Sequence, residues 1–179
     1  MAALISLHAA AAAAWRPEFA AGVEVGGGFD PEHGGAGDGL FVLGGHADVM
    51  LFRSLSSDFG IGFTTQVATR GFGDLLLLGG AGALAPVHES FPFVLSGGAG
   101  VDAVSGEGLW FARLWWGARN RNQTSLYSVT FGVWCEYATP FGGGSGTLIV
   151  GASLDALALL YPFLWLYQWA VVDQSPSVV

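Results

Sequence analysis

From Glu18 onward the chain divides into eight apolar segments of about ten residues, the length that crosses a bilayer as a tilted strand, and in most of them hydrophobic and polar or small positions alternate. In the first segment Phe19, Ala21, Val23, Val25 and Phe29 share one face, and Glu18, Ala20, Gly22, Glu24, Gly26 and Gly28 share the other. In the third, Phe59, Ile61, Phe63 and Val67 alternate with Gly60, Gly62, Thr64, Gln66 and Ala68. In the seventh, Tyr127, Val129, Phe131, Val133, Cys135 and Tyr137 alternate with Ser128, Thr130, Gly132, Trp134 and Glu136. A side-chain period of two is strand geometry. The second, fifth and sixth segments follow less cleanly. His46 and Asp48 oppose Phe41, Leu43, Val49 and Leu51; Ser96, Gly98, Gly100 and Asp102 oppose Phe93, Leu95, Ala99 and Val101; Arg113, Gly117 and Arg119 oppose Trp110, Leu114 and Trp116. The fourth, Leu75 to Ala85, shows no clear alternation and reads as a strand or a short helix. In the eighth, Leu148, Val150, Ala152 and Leu154 oppose Thr147, Gly151, Ser153 and Asp155. It then runs into an aromatic-rich stretch, Leu157 to Ala170, which fits a longer last strand, an interfacial helix or an aromatic belt at a membrane boundary.

The separators are clusters of Gly, Pro, Asn, Asp and Ser, which are loop signals: residues 30–38, 54–58, 70–74, 86–92, 105–108, 120–125 and 139–146. The polar members of the alternating segments fall together on the minority face: Glu18, Glu24, His46, Asp48, Gln66, Asp102, Arg113, Arg119, Glu136 and Asp155. Apolar outside and polar inside is the signature of a transmembrane barrel, whereas a soluble barrel or sandwich places charge outside. The expected fold is therefore all-β: an eight-stranded antiparallel transmembrane up-and-down β-barrel with a polar lumen filled by side chains. Unpaired charge in a narrow lumen is costly, so Arg113 and Arg119 are expected to pair with acids among Glu24, Asp48, Glu136 and Asp155. Phe111, Trp115 and Trp134 also fall inside on this register, which argues against an open pore.

Composition strengthens this reading. Hydrophobic residues make up 52% of the 179 positions and charged residues only 11%, well under the usual quarter for a soluble domain. The 29 glycines lie largely within apolar segments, where they are tolerable if many strands crowd a narrow lumen. The net charge is −8 and there is no lysine, so no basic patch is available for nucleic acid. Expected partners are membrane lipid and other membrane proteins. The single cysteine, Cys135, sits in an apolar segment and reads as a small packed hydrophobe. Residues 1–14, apolar and then alanine-rich, read as a signal peptide that lacks its basic start; the barrel domain is expected over residues 15–170 and a frayed tail over residues 171–179.

With these features the chain resembles the small eight-stranded outer-membrane barrels of the OmpA and OmpX type, over about residues 18 to 169. The resemblance rests on strand count, alternation, polar lumen and terminal aromatic run. It implies the outer membrane of a Gram-negative bacterium and a structural or interaction role. Two departures stand out: the loops are short, and the chain continues past Trp169. A second reading takes His88, Ser90 and Asp102 as a catalytic set, since their order and spacing look like the His, Ser and acid of the outer-membrane lipid A deacylases. Aspartate stands here where that family has glutamate, and Pro86 and Pro92 flank the pair. A third reading, a helical inner-membrane protein, takes residues 148–170 as its clearest span, at the burden of Asp155 and Pro162. His46 and Asp48 fall short of a metal site, and neither a metal nor another cofactor is expected.

Overall fold

The computed structural model describes residues 17–29, 39–51, 53, 55, 57–121, 128–156, 158, 162, 163 and 166. Residues 1–14, the tail 171–179 and most of the run 157–170 lie outside the described residues. Eight strands follow one another along the chain: β1 (Glu18–Phe29), β2 (Leu40–Leu51), β3 (Gly60–Arg70), β4 (Asp74–Ala85), β5 (Phe93–Asp102), β6 (Gly108–Arg121), β7 (Ser128–Pro140) and β8 (Thr147–Asp155). Each pairs antiparallel with the next, and β8 closes on β1, so the sheet is a closed up-and-down barrel. Among the described residues no helix is long and apolar enough to cross a membrane. The span 148–170 of the helical reading begins inside β8, which corrects that reading. Just after β8 the described residues Ala156, Ala158, Pro162, Phe163 and Leu166 are helical, with Phe163 and Leu166 exposed.

The pairing fixes the shape of the barrel. One circuit of the ladder runs Glu18, Met50, Gly62, Gly82, Ser96, Arg113, Glu136, Ile149 and back to β1 at Gly28. The circuit closes ten residues beyond its start on the same strand, a shear of ten for eight strands. With standard strand spacing and rise this tilts the strands by about 40° and gives a radius of about 8 Å, an interior that side chains fill. A strand of 12 residues, such as β1, then spans about 30 Å along the axis.

So tight a curl needs glycine on its concave side. Inward glycines face each other across seams as Gly26–Gly151, Gly62–Gly82, Gly80–Gly98 and Gly117–Gly132. A Cβ at Gly98 would meet the Gly79 carbonyl oxygen at 2.2 Å, and one at Gly117 would meet the Gly132 Cα at 2.3 Å. The glycines inside the apolar segments are thus the corners at which the sheet bends.

The fourth segment is a strand. Its four consecutive leucines serve both faces: Leu76 and Leu78 point in, Leu75 and Leu77 point out. Inside, Leu76 and Leu78 pack with Leu109, Phe111 and Ala138 at the end of the barrel that carries the β3–β4, β5–β6 and β7–β8 turns, called here the turn end. The opposite end, where β1 begins and β8 finishes, is the termini end. A second apolar cluster, including Met50, Leu84, Val94, Trp115 and Trp134, fills the remaining wall.

Candidate functional site

Among the described residues, the interior gathers the buried charged side chains. It holds two ionic layers. In the middle of the barrel, Arg113 on β6 donates through both terminal nitrogens to the Glu24 carboxylate on β1, across 89 residues of sequence. Its Nη1 also donates to Gln66 Oε1 at 3.0 Å and lies 3.8 Å from Glu136 Oε2. His46 Nδ1 stands 2.7 Å from Glu24 Oε1. The Arg113 guanidinium sits 4.6 Å above the Trp134 ring, a cation–π contact inside a desolvated space.

The second layer lies nearer the termini end. Arg119 donates through both terminal nitrogens to Asp48 and through Nε to Glu18 Oε1 at 2.6 Å. Arg53, from the β2–β3 connection, folds back into the barrel and pairs with Glu18 Oε2 at 3.0 Å, its side chain fully buried. Asp155 accepts the Thr130 backbone N–H at 3.2 Å. Each charged group in these layers is at most 7% exposed, and the His46 side chain is 9% exposed. Such burial is tolerable only where opposite charges and hydrogen bonds satisfy each ion. Trp115 illustrates the same rule for a neutral group, its indole N–H donating to Ser153 Oγ at 2.7 Å.

The strand period brings Glu24, His46, Gln66, Arg113 and Glu136 together in one layer and Asp48, Arg119 and Asp155 towards the other. Asp102 does not join them. At the end of β5 the chain leaves the barrel wall, and Asp102 turns to cap the β5–β6 turn, accepting from the Ser105 hydroxyl at 2.6 Å and from the backbone N–H groups of Val104 and Leu75. The Ser105 bond, helped by those backbone N–H groups, holds its carboxyl below the ordinary 3.8. Its place in the lumen is therefore corrected to the rim.

The same position removes the catalytic set. His88 and Ser90 lie in the β4–β5 turn at the termini end, with the Ser90 backbone N–H donating to His88 Nδ1 at 3.3 Å. Asp102 lies at the far end of β5, about 30 Å away along a ten-residue strand, so the three cannot form a triad. Among the described residues no group of three or more His, Cys, Asp and Glu side chains could hold a metal ion.

Among the described residues, buried side chains crowd the interior towards both ends. At the turn end the stopper is largely apolar, made of Leu76, Leu78, Leu109, Phe111 and Ala138, with buried guanidinium nitrogens of Arg70 beside it. At the termini end it is ionic: Glu18 held between Arg119 and Arg53. Sequence reasoning missed Arg53, because its place in a turn carries no face assignment; the only available signal was an arginine directly after an apolar strand.

The outside is the inverse of the inside. By the alternation of the strands, no outward position among the described residues of β1 to β8 carries a charged side chain. Aliphatic residues such as Val25, Val67, Leu95, Leu114, Val133 and Val150 form a belt, all exposed. Aromatic residues flank it at both ends. Phe41, Phe72, Trp110, Tyr137 and Phe141 stand at the turn end, where the Phe41–Phe72 and Trp110–Phe141 ring centroids are 5.6 and 4.7 Å apart. Phe59, Phe91, Phe93, Trp116 and Phe131 stand at the termini end.

No family model and no curated protein matches this chain. Among solved structures it is similar to the solution NMR structure of the de novo designed TMB2.3, with 14% identity over 78% of this chain and 95% of that one, at a TM-score of 0.46. It is similar also to a structure described as de novo design of transmembrane beta-barrels, with 13% identity over 76% and 95% and a TM-score of 0.45.

Proposed function

We propose that the chain is a membrane-embedded barrel of the outer membrane of a Gram-negative bacterium, acting as a structural or interaction element and not as an open pore. The observation that carries the membrane reading is the outer surface: a charge-free belt between two aromatic girdles, on strands long enough to span about 30 Å. In water such a surface would be an aggregation hazard; in lipid it is the low-energy arrangement. The filled interior supports the second half of the proposal: the two ionic layers and the buried Phe111, Trp115 and Trp134 occupy the lumen. Its partners are then membrane lipid and other membrane proteins that meet the same belt.

The test is refolding into vesicles whose acyl chains carry bromine, a quencher of tryptophan. The outward Trp110 and Trp116 are expected to be quenched, while single-tryptophan variants retaining only the inward Trp115 or Trp134 are quenched far less. A chain that is monodisperse in water without detergent and unquenched in vesicles would overturn the membrane reading. A steady unitary conductance of the refolded protein in a planar bilayer would overturn the filled lumen.

A further inference from the structure

Directly after β8 the chain turns from strand to helix. Asp155 is the last residue of β8, and of the residues that follow, Ala156, Ala158, Pro162, Phe163 and Leu166 are described and helical. No residue between Asp155 and Asp173 is charged, and Tyr161, Trp165, Tyr167 and Trp169 crowd into the same stretch. Phe163 and Leu166 are 68% and 50% exposed. Three positions apart, they share one helix face, and the barrel leaves that face uncovered. The start of the helix has a fixed height. Leu154 pairs with Phe131 of the termini-end girdle, and the buried Asp155 accepts the Thr130 backbone N–H at 3.2 Å. Helical rise from 156 to 166 is about 16 Å, half of the roughly 30 Å of hydrocarbon in a bilayer, so this stretch does not cross. A strand that reverses into a helix along the same wall takes about 2–6 connecting residues. Here Asp155 runs into Ala156 with none between, so the helix leaves the wall at the rim.

We propose that the helix beginning at Ala156 is an in-plane membrane anchor: it lies at the headgroup–acyl boundary of the leaflet around the termini end, with Phe163 and Leu166 set among the upper acyl carbons. The proposal rests on the membrane reading, and its partner is the lipid surface. Two observations favour this depth over the hydrocarbon centre. Pro162 has no N–H for the Ala158 carbonyl four residues earlier. In hydrocarbon that oxygen would be stranded, whereas water reaches it at the headgroup level. Tyr and Trp, which recur at 161, 165, 167 and 169, favour the same level because each joins an apolar ring to a polar tip. Open water suits the stretch worse, since it has no charged side chain to present. The attachment is therefore apolar and independent of lipid charge. It holds the termini end of the barrel at one depth in its leaflet.

The test uses the whole chain with Cys135→Ala, folded in phosphatidylcholine vesicles and carrying one nitroxide. The label sits on Phe163→Cys, on Leu166→Cys or, as the reference, on Val133→Cys near the middle of β7, an outward position that is 53% exposed. Electron spin resonance reads depth from collisions with oxygen, which concentrates in lipid, and with a water-soluble nickel chelate. Position 133 is expected about 15 Å deep, half of the hydrocarbon thickness. Positions 163 and 166 are expected about 5–10 Å below the headgroup level, unchanged when phosphatidylglycerol is mixed in. Labels at 163 and 166 that meet the chelate as freely as a nitroxide in water, with 133 in lipid, would overturn the anchor and leave the membrane reading standing. Labels as deep as 133 would overturn the in-plane placement. Labels shielded from both reagents would mean a cover of protein and would overturn lipid as the partner. A depth reached only with phosphatidylglycerol would refute the apolar attachment. A 133 label open to the chelate would instead overturn the membrane reading itself. Two label sites on one helix face keep the test decisive should one variant fail to fold.

Discussion

Arg113→Met probes the middle ionic layer most directly. The guanidinium is buried and donates twice to Glu24 and once to Gln66, with Glu136 Oε2 at 3.8 Å and the Trp134 ring 4.6 Å below. Methionine retains most of the stem and removes the charge. It leaves Glu24 and Glu136 in a closed lumen, with His46 as the neighbour of Glu24 at 2.7 Å. Breaking one partner of a buried pair costs about 3–5 kcal/mol, and a desolvated cation–π contact is worth about 2 kcal/mol by itself. These contributions overlap at one guanidinium, so a loss of about 4 kcal/mol is expected, roughly a thousandfold in the ratio of folded to unfolded protein. Reversible urea unfolding in detergent micelles, followed by tryptophan fluorescence, reads this as a lower midpoint at unchanged slope. Glu24→Gln combined with Arg113→Met removes the stranded carboxylate, and the double variant is expected to be more stable than Arg113→Met alone. A loss under about 1 kcal/mol, the size of an exposed pair, would refute the reasoning and mean that bulk-like water screens the lumen.

Three further outcomes are expected. Gly98→Ala places a Cβ 2.2 Å from the Gly79 carbonyl oxygen and is expected to cost about 3 kcal/mol in the same assay, whereas Gly79→Ala, whose nearest contact is 4.0 Å, is expected to be neutral or to stabilise by about 0.5 kcal/mol. Equal effects would refute the corner role of the inward glycines. Leu95→Arg puts a charge on an outward position that is 60% exposed, and is expected to destabilise the barrel in vesicles by about 2–4 kcal/mol; a neutral result would contradict the lipid-facing belt. Asp102 lies at the rim, outside that belt, and its folded value is depressed chiefly by the Ser105 hydroxyl, so its support for the β5–β6 turn is present above about pH 3.8 and fades as pH falls through the lower folded value. Ser105→Ala is expected to move the carboxyl-carbon titration of Asp102 upward, and no movement would refute the cap.

The fold was legible because one strand face had to exclude charge. Val23, Val25, Phe63, Val133 and Val150 mark that face unmistakably, and Glu24, Arg113, Arg119 and Glu136 mark its opposite. The rhythm failed where both faces demanded the same residue type. Leu75 to Leu78 read as featureless because Leu76 and Leu78 build the inner stopper while Leu75 and Leu77 meet the outside. It misled at a strand end: Asp102 has the parity of Ser96, but the barrel wall has ended there and the carboxylate caps a turn. It was silent in a connection, where Arg53 bends back inside with no period to announce it. The partner of each lumen arginine is also beyond sequence, since Arg113 reaches Glu24 across the barrel and its place there follows from the shear.

That shear has a kinetic meaning. A circuit from Glu18 that closes on Gly28 is a count summed over all eight seams, so the register of the last seam records that of the other seven. The β1–β8 seam zips residues more than a hundred positions apart, such as Gly22 and Asp155, so its closure bears a large loop entropy and comes late. A slip of two residues at any one seam would keep every inward side chain inward and change the shear to eight or twelve, but it would shift Glu24 along the barrel relative to Arg113. The ionic layers therefore favour, among the registers in which the ring can close, the one that brings Glu24 to Arg113 and Asp48 to Arg119.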